Sequence, residues 1–136
     1  MTKEVQEFIE NNIDVIEMND WEEVIELWYS SCANNFFTAD VDFLELADVF
    51  KTAGINFMIE TENIRKEFLY SIICQIIEDK LELAKVYEKS EINKLDISMQ
   101  IDCNLGFTEE ELDKLIKEVA VHSFALKSDS TYFYLR

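Results

Sequence analysis

Apolar positions recur at helical spacing along the first two thirds of the chain. Over residues 3–17, Val5, Phe8, Ile9, Ile13 and Ile16 fall on one face of a helix. Glu7, Glu10, Asp14 and Glu17 fall on another. At 1.5 Å per residue those four carboxylates form a stripe about 15 Å long. A second helix starts near Asn19 or Asp20, with Glu22 or Glu23 as the reciprocal member of a capping box. Its apolar face is Trp21, Val24, Ile25, Trp28 and Cys32. A third helix is predicted from a Thr38 cap to about Lys51, with Gly54 in the left-handed position beyond its end. Val41, Phe43, Leu44, Leu46, Ala47 and Phe50 cover much of its circumference, leaving Asp40, Glu45 and Asp48 for solvent. A fourth runs from a Thr61 cap to about Glu88. Ile64, Phe68, Leu69, Ile72, Ile73, Ile76 and Ile77 give it an apolar face wide enough for a central helix.

The period then changes. Leu95, Ile97, Met99, Ile101, Cys103 and Leu105 alternate with polar residues, which predicts a half-buried strand ended by Gly106. Thr108 and Glu111 form a capping box for a fifth helix, and Phe107 with Leu112 forms a hydrophobic staple. Val121–Leu126 and Thr131–Leu135 read as a hairpin around a polar turn at Lys127–Ser130. The expected fold is α+β and mainly α, in a single domain over 1–136. A bundle of about four helices (1–90) precedes a small β-α-β-β unit (91–136).

Composition changes this picture chiefly through charge. The 136 residues carry 29 acids against 12 bases, a formal net of −17. Residues 1–60 hold 14 acids and two lysines, whereas residues 61–136 hold 15 acids and ten bases. A domain this acidic repels nucleic acid and anionic membranes and attracts basic surfaces. Its 17 aromatic residues argue for a real core and against an acidic disordered tail. Two glycines and no proline leave punctuation to caps and polar turns. The longest apolar stretch, Phe68 to Ile77, falls short of the roughly 20 residues a bilayer span needs. The start MTKEVQEFIE has no apolar signal region. The three scattered cysteines fit reduced thiols, so a cytoplasmic protein is expected, in host cytosol if it is phage-encoded.

The chemistry-bearing residues do not assemble into a catalytic motif. His122 is the only histidine, which excludes two-histidine metal motifs. Cys32, Cys74 and Cys103 each sit on an apolar face and read as small buried hydrophobes. Asp40 and Asp42 are two apart on a helix and do not face each other. Two glycines, Gly54 and Gly106, cannot build a phosphate loop. Arg65 and Arg136 are the only arginines, which disfavours direct nucleic-acid binding. No enzyme, cofactor or metal is expected.

What remains is the acid. Phosphates recur about every 3.4 Å along each DNA strand, and carboxylates one helical turn apart recur about every 5.4 Å. A rigid face bearing Glu7, Glu10, Asp14, Glu17, Asp20, Glu22, Glu23 and Glu26 approximates a phosphate track for a cleft lined by Lys and Arg. The plainer alternatives are a solvated helix face and charge that serves solubility.

Two resemblances bear on function. Residues 6–70 carry FIENN (8–12), NDWEEVIELWY (19–29), AGIN (53–56) and IRKEFLY (64–70). In these they resemble a short helical module found ahead of leucine-rich repeats in low-GC Gram-positive bacteria and their mobile elements. The repeats are absent here, and Arg65-Lys66 replaces the usual proline before the F-L-Y element. That module implies no activity. By type rather than motif, a small acidic protein without enzymatic signatures is similar to phage-encoded inhibitors, including anti-CRISPR proteins. No residue carries over from that similarity.

The leading expectation is therefore a non-enzymatic inhibitor. Its acidic N-terminal helices would occupy a basic nucleic-acid-binding cleft, that of a CRISPR effector nuclease above all. The alternatives are an immunity protein that neutralises a basic toxin, and an adaptor module that binds through Trp21, Trp28, Tyr132 or Tyr134. A homodimer through a β-edge at Thr131–Leu135 also remains open.

Overall fold

The structure is a computed structural model that describes residues 2–33, 42–101 and 105–135, the side chains of 31–33 excepted. It is mainly helical with one small antiparallel sheet, in line with the α+β expectation. The chain divides into two compact units, Met1–Arg65 and Lys66–Arg136.

The first unit contains α1 (Lys3–Asn11), α2 (Ile13–Glu17), α3 (Trp21–Ala33), α4 (Phe43–Thr52) and α5 (Phe57–Glu60). Thr2 caps α1, its hydroxyl accepting the Val5 N–H and donating to the Glu45 carboxylate. The single helix expected over 3–17 is broken at Asn12 (φ −122°, ψ 23°). The Asn12 amide donates to the Phe8 carbonyl at 2.8 Å. Asparagine thereby offers the backbone an alternative to the helical ladder. Asn19 takes a left-handed φ of 56°, which its short amide side chain tolerates. The next residue, Asp20, caps α3 through the Glu23 N–H.

The third helix starts later than expected. Asp42 caps α4, accepting the Leu44 and Glu45 N–H groups at 2.9 and 3.2 Å, whereas Thr38 lies outside the described residues. Its end follows expectation. Gly54 sits at φ 83°, and Ile55 N–H reaches back to the Phe50 carbonyl at 2.9 Å.

An aromatic cluster forms the core of this unit. Phe57 lies 5.4 Å from Trp21, 5.0 Å from Phe50 and 5.7 Å from Phe43 between ring centroids. Trp28 meets Phe43 edge-on at 5.1 Å. Rings from α3, α4 and α5 thus interlock in the tilted geometries their quadrupoles favour. Thr61 and Arg65 are buried as well, at 0% and 4% exposure. Thr61 precedes the fourth predicted helix as expected, but its hydroxyl points backward. It donates to the Phe57 carbonyl at 2.6 Å and accepts the Arg65 Nε–H at 3.1 Å. Arg65 also donates to the Met58 carbonyl at 2.7 Å.

The unit boundary falls within α6 (Glu62–Val86). Leu69, Ile73, Ile76, Ile77 and Ala84 are its buried positions. The helix closes with Glu88 at a left-handed φ of 54° and Lys89 N–H on the Ala84 carbonyl at 2.8 Å. This is a glycine-type cap carried by glutamate.

The predicted strand at Leu95–Leu105 is overturned. The strand β1 is Glu91–Asn93, and Lys94–Ser98 forms the helix α7. Asn93 caps α7, accepting the Leu95 N–H at 2.9 Å. Leu95, Ile97 and Met99 would share one face of a strand. Instead Ile97 is fully buried, while Leu95 and Met99, four apart on a helical turn, are 61% and 72% exposed. Residues 102–104 lie outside the described residues.

Helix α8 (Glu109–Glu118) starts as expected. Thr108 and Glu111 exchange both capping-box bonds at 3.1 Å, and Phe107 and Leu112 are both buried. The helix then widens into a π segment, Val119–Ser123. That replaces the strand predicted at Val121–Leu126. The remaining strands are β2 (Lys127–Ser128), formed from residues assigned to the turn, and β3 (Tyr132–Tyr134). The sheet order is β1-β3-β2, all antiparallel, with buried Ile92 opposite buried Phe133. β3 is the central strand, so the edge proposed for a homodimer at Thr131–Leu135 is already paired on both sides.

Two stability outcomes follow. Thr61→Val removes a buried acceptor from Arg65 and should cost about 1–3 kcal/mol, with Thr61→Ser retaining most of the stability, by denaturant unfolding. Glu88→Gly relieves a left-handed φ on a non-glycine residue and should stabilise by up to about 1 kcal/mol in the same assay.

Candidate functional site

Every carboxylate singled out from the sequence lies in the first unit. Glu7 and Glu10 belong to α1, and Asp14 and Glu17 to α2. Asp20 precedes α3, which carries Glu22, Glu23 and Glu26. Seven of these eight are exposed and Glu23 is half-buried. The 15 Å row computed for an unbroken helix does not form, because Asn12 separates α1 from α2. Its place is taken by local pairs at helical spacing. These are Glu7 with Glu10, Asp14 with Glu17, and Glu22 with Glu26. The turns at Asn12 and at Met18–Asp20 join them.

Little in the unit neutralises this acid. Residues 1–65 contain 15 acids and three bases, Lys3, Lys51 and Arg65. Lys3 pairs with Glu7 at 3.8 Å, both side chains exposed, so the pair contributes little. Arg65 is turned inward onto Thr61 and Met58. Among the described residues, Lys3–Glu7 is the one ion pair made by the eight carboxylates. Glu10 accepts the Gln6 amide at 3.2 Å, and Asp20 is partly occupied as a helix cap.

Asp42 is a cap. Cys74 is half-buried, and its thiol pKa is raised by burial and then by Glu78, the reverse of an activated nucleophile. Cys32 and Cys103 lie outside the described side chains. His122 is exposed on the π segment. Among the described residues no cluster of three or more His, Cys, Asp or Glu is arranged to hold a metal. No helix among them is long and apolar enough to cross a membrane. In the second unit a shallow cleft of about 260 Å³ is lined by apolar side chains, two lysines (Lys66, Lys114) and two glutamates (Glu111, Glu118). Its charges balance and select no ligand.

Trp21 and Trp28 are buried in the aromatic core, and Tyr132 and Tyr134 are half-buried in the sheet. The exposed large apolar residues are different ones. They include Ile13, Met18, Leu44 and Ile59 in the first unit, and Leu83, Val86, Tyr87, Leu95 and Met99 in the second. Ile13, Leu44, Leu95 and Met99 stand on faces that periodicity assigns to the core, and the fold leaves them exposed.

The most perturbed titrating pair closes the β2–β3 turn. Asp129 accepts the Tyr134 hydroxyl at 2.6 Å and the Thr131 and Tyr132 N–H groups at 2.8 and 2.7 Å. Those bonds, the tyrosine's first, lower its pKa from 3.8 to about 2. The same bond raises Tyr134 from 10 to about 12. Asp129 is lowered, so its contribution is present above pH 3.8 and lost as pH falls through about 2. Tyr134 is raised, so its contribution is present below pH 10 and lost as pH rises through about 12. Ring-proton NMR should show Tyr134 titrating near 12, and Asp129→Asn should return it toward 10. Titration near 10 in the unmodified chain would contradict the bond.

No protein-family model, no curated protein and no solved structure matches this chain.

Proposed function

We propose that the chain is a non-enzymatic binding protein. Its acidic first unit occupies a basic, nucleic-acid-binding cleft on a partner protein and so competes with DNA or RNA. A CRISPR effector nuclease is the target class we favour. An immunity protein that blocks a basic toxin would act by the same physics and differ only in its partner.

One observation carries this reading. Eight carboxylates, seven of them exposed, stand on or directly before three consecutive helices of a unit whose three bases include one buried arginine and one lysine already paired. Such a surface gains most from a partner that supplies the missing positive charge. Long-range attraction would steer association and make it fast at low salt. The same carboxylates repel polyphosphates, so the partner is a protein and not the nucleic acid itself.

A second reading, an adaptor that binds through apolar contact, is favoured by a separate observation. Leu83, Val86 and Tyr87 stand exposed at the end of α6, at spacings of three and four. Binding through that face would be insensitive to salt.

The test is capture of partners from host lysate, followed by DNA-binding competition with a purified CRISPR effector nuclease. Both are run at low and high salt. A nuclease partner released by salt is the expected result. Reversing Glu10, Asp14 and Glu17 to lysine should weaken binding on the order of 10- to 100-fold at low salt, taking about 0.5–1 kcal/mol per reversed residue. If that triple variant leaves both affinity and salt dependence unchanged, the acidic surface is not the interface.

A further inference from the structure

Helix α6 ends with an apolar face in water. Leu83, Val86 and Tyr87 are 49%, 73% and 69% exposed. Helical bonding continues through Tyr87, whose N–H bonds to the Leu83 carbonyl at 3.0 Å. At about 100° per residue the three side chains share an arc of about 100°, with Leu83 inside it. No charged residue of this last turn falls within the arc. Ala84 is buried, and Lys85 lies on the far side. Single exposed apolar residues are ordinary. Three on one face, at steps of three and one, have the spacing of a helix-pairing seam. The charges around it nearly cancel, since residues 80–89 hold Lys80, Lys85 and Lys89 against Glu82 and Glu88.

We propose that this face is a two-fold contact between copies of the chain, with the end of α6 packed antiparallel against the end of α6 in a second copy. The flanks of the seam select this occupant. Lys80 and Tyr87 lie seven apart on one flank, and Glu82 and Lys89 seven apart on the other. Lys89 follows the left-handed Glu88 and is held against the last turn by its N–H on the Ala84 carbonyl. A two-fold axis exchanges the two members of every contact. Setting Leu83 of one copy against Val86 of the other then brings Lys80 to the Tyr87 ring of the second copy, and Glu82 to its Lys89, each twice. Two ion pairs and two cation–π contacts thus frame two Leu–Val layers. Asp79, a turn earlier on the same arc, falls opposite Ser90, past the last turn of the other helix, and stays at the wet rim. A strongly basic or acidic partner gains little from flanks of mixed sign. None of the eight carboxylates contributes, so the contact goes beyond the acidic-surface reading. It gives a second copy the face on which the adaptor reading rests. Each chain carries a net −17, so salt screens the repulsion between copies and tightens the dimer, whereas it loosens binding to a basic partner.

Sedimentation equilibrium of the full chain at up to ~1 mM tests this. The expected result is a monomer–dimer equilibrium with a dissociation constant on the order of 100 µM, tighter at high salt than at low. Val86→Asp should weaken it by about tenfold or more and leave thermal unfolding unchanged, since Val86 is exposed. Glu82→Lys alone and Lys89→Glu alone should each weaken it about tenfold at ~0.15 M salt, because each sets like charges opposite one another twice. An equimolar mixture of those two variants should return to the native affinity. Pairing between unlike copies restores both ion pairs at the native total charge. A chain that stays monomeric at ~1 mM and high salt overturns the proposal, as does a dimer indifferent to Val86→Asp. A mixture no tighter than either variant alone overturns the antiparallel register. Each of these outcomes leaves the acidic-surface reading standing, which the reversals at Glu10, Asp14 and Glu17 test separately.

Discussion

The first unit must fold against its own charge. Fifteen acids and three bases in 65 residues repel one another wherever the chain becomes compact. The aromatic cluster around Phe57 supplies the opposing attraction. Trp21 and Trp28 from α3, Phe43 and Phe50 from α4, and Phe57 from α5 bury large apolar areas without a polar atom that needs a charged partner. Edge-to-face contacts add about 0.5–1.5 kcal/mol per pair beyond burial. Most of the acidic residues are then free to stay on the outside, with Glu45 joining Thr2 and with Asp20 and Asp42 capping helices.

Arg65 fits the same logic. A buried guanidinium is expensive unless its donors are satisfied. Here Thr61 and the Met58 carbonyl take donors from it, and the carboxylates of the unit create a negative potential that favours a cation inside. Turning this base inward strengthens the core and removes a neutralising charge from the surface. Thr61 is the hinge of the arrangement, with its hydroxyl shared between Phe57 and Arg65. Neither role was legible in the sequence. A threonine before an amphipathic run reads as a cap, and a lone arginine on a long helix reads as solvent-facing.

Legibility elsewhere followed the number of independent local signals. The α8 start was readable because Thr108, Glu111, Phe107 and Leu112 each point to the same boundary. The end of α4 was readable because Gly54 takes the φ that its position requires. The strand at 95–105 was misread because alternation alone carried it, and Asn93 supplies a cap that starts a helix within the same pattern. The hairpin was misplaced because Asp129, not the polar run as a whole, makes the turn. The break at Asn12 was missed because the apolar spacing continues across it while one amide bond competes with the ladder. Exposure of all but one of the eight carboxylates was legible, since each lies opposite a buried face. Their division into separate pairs was not.

The two units use their bases in different ways, and this explains where the charge asymmetry resides. In the second unit Lys94 lies 4.8 Å from the centre of the Phe133 ring and donates to the Asp129 carbonyl, so one base bridges the start of α7 and the β2–β3 turn. Acid there is structural too, as Asp129 and Glu111 show by accepting backbone N–H groups. Among the described residues of the first unit, Asp20 and Asp42 cap helices, Glu45 binds Thr2, and the other acids stand largely outside the hydrogen bonds of the fold. Charge that the fold does not consume is charge left for a partner. That difference, more than the net −17 itself, is what distinguishes the surface chemistry of the first unit.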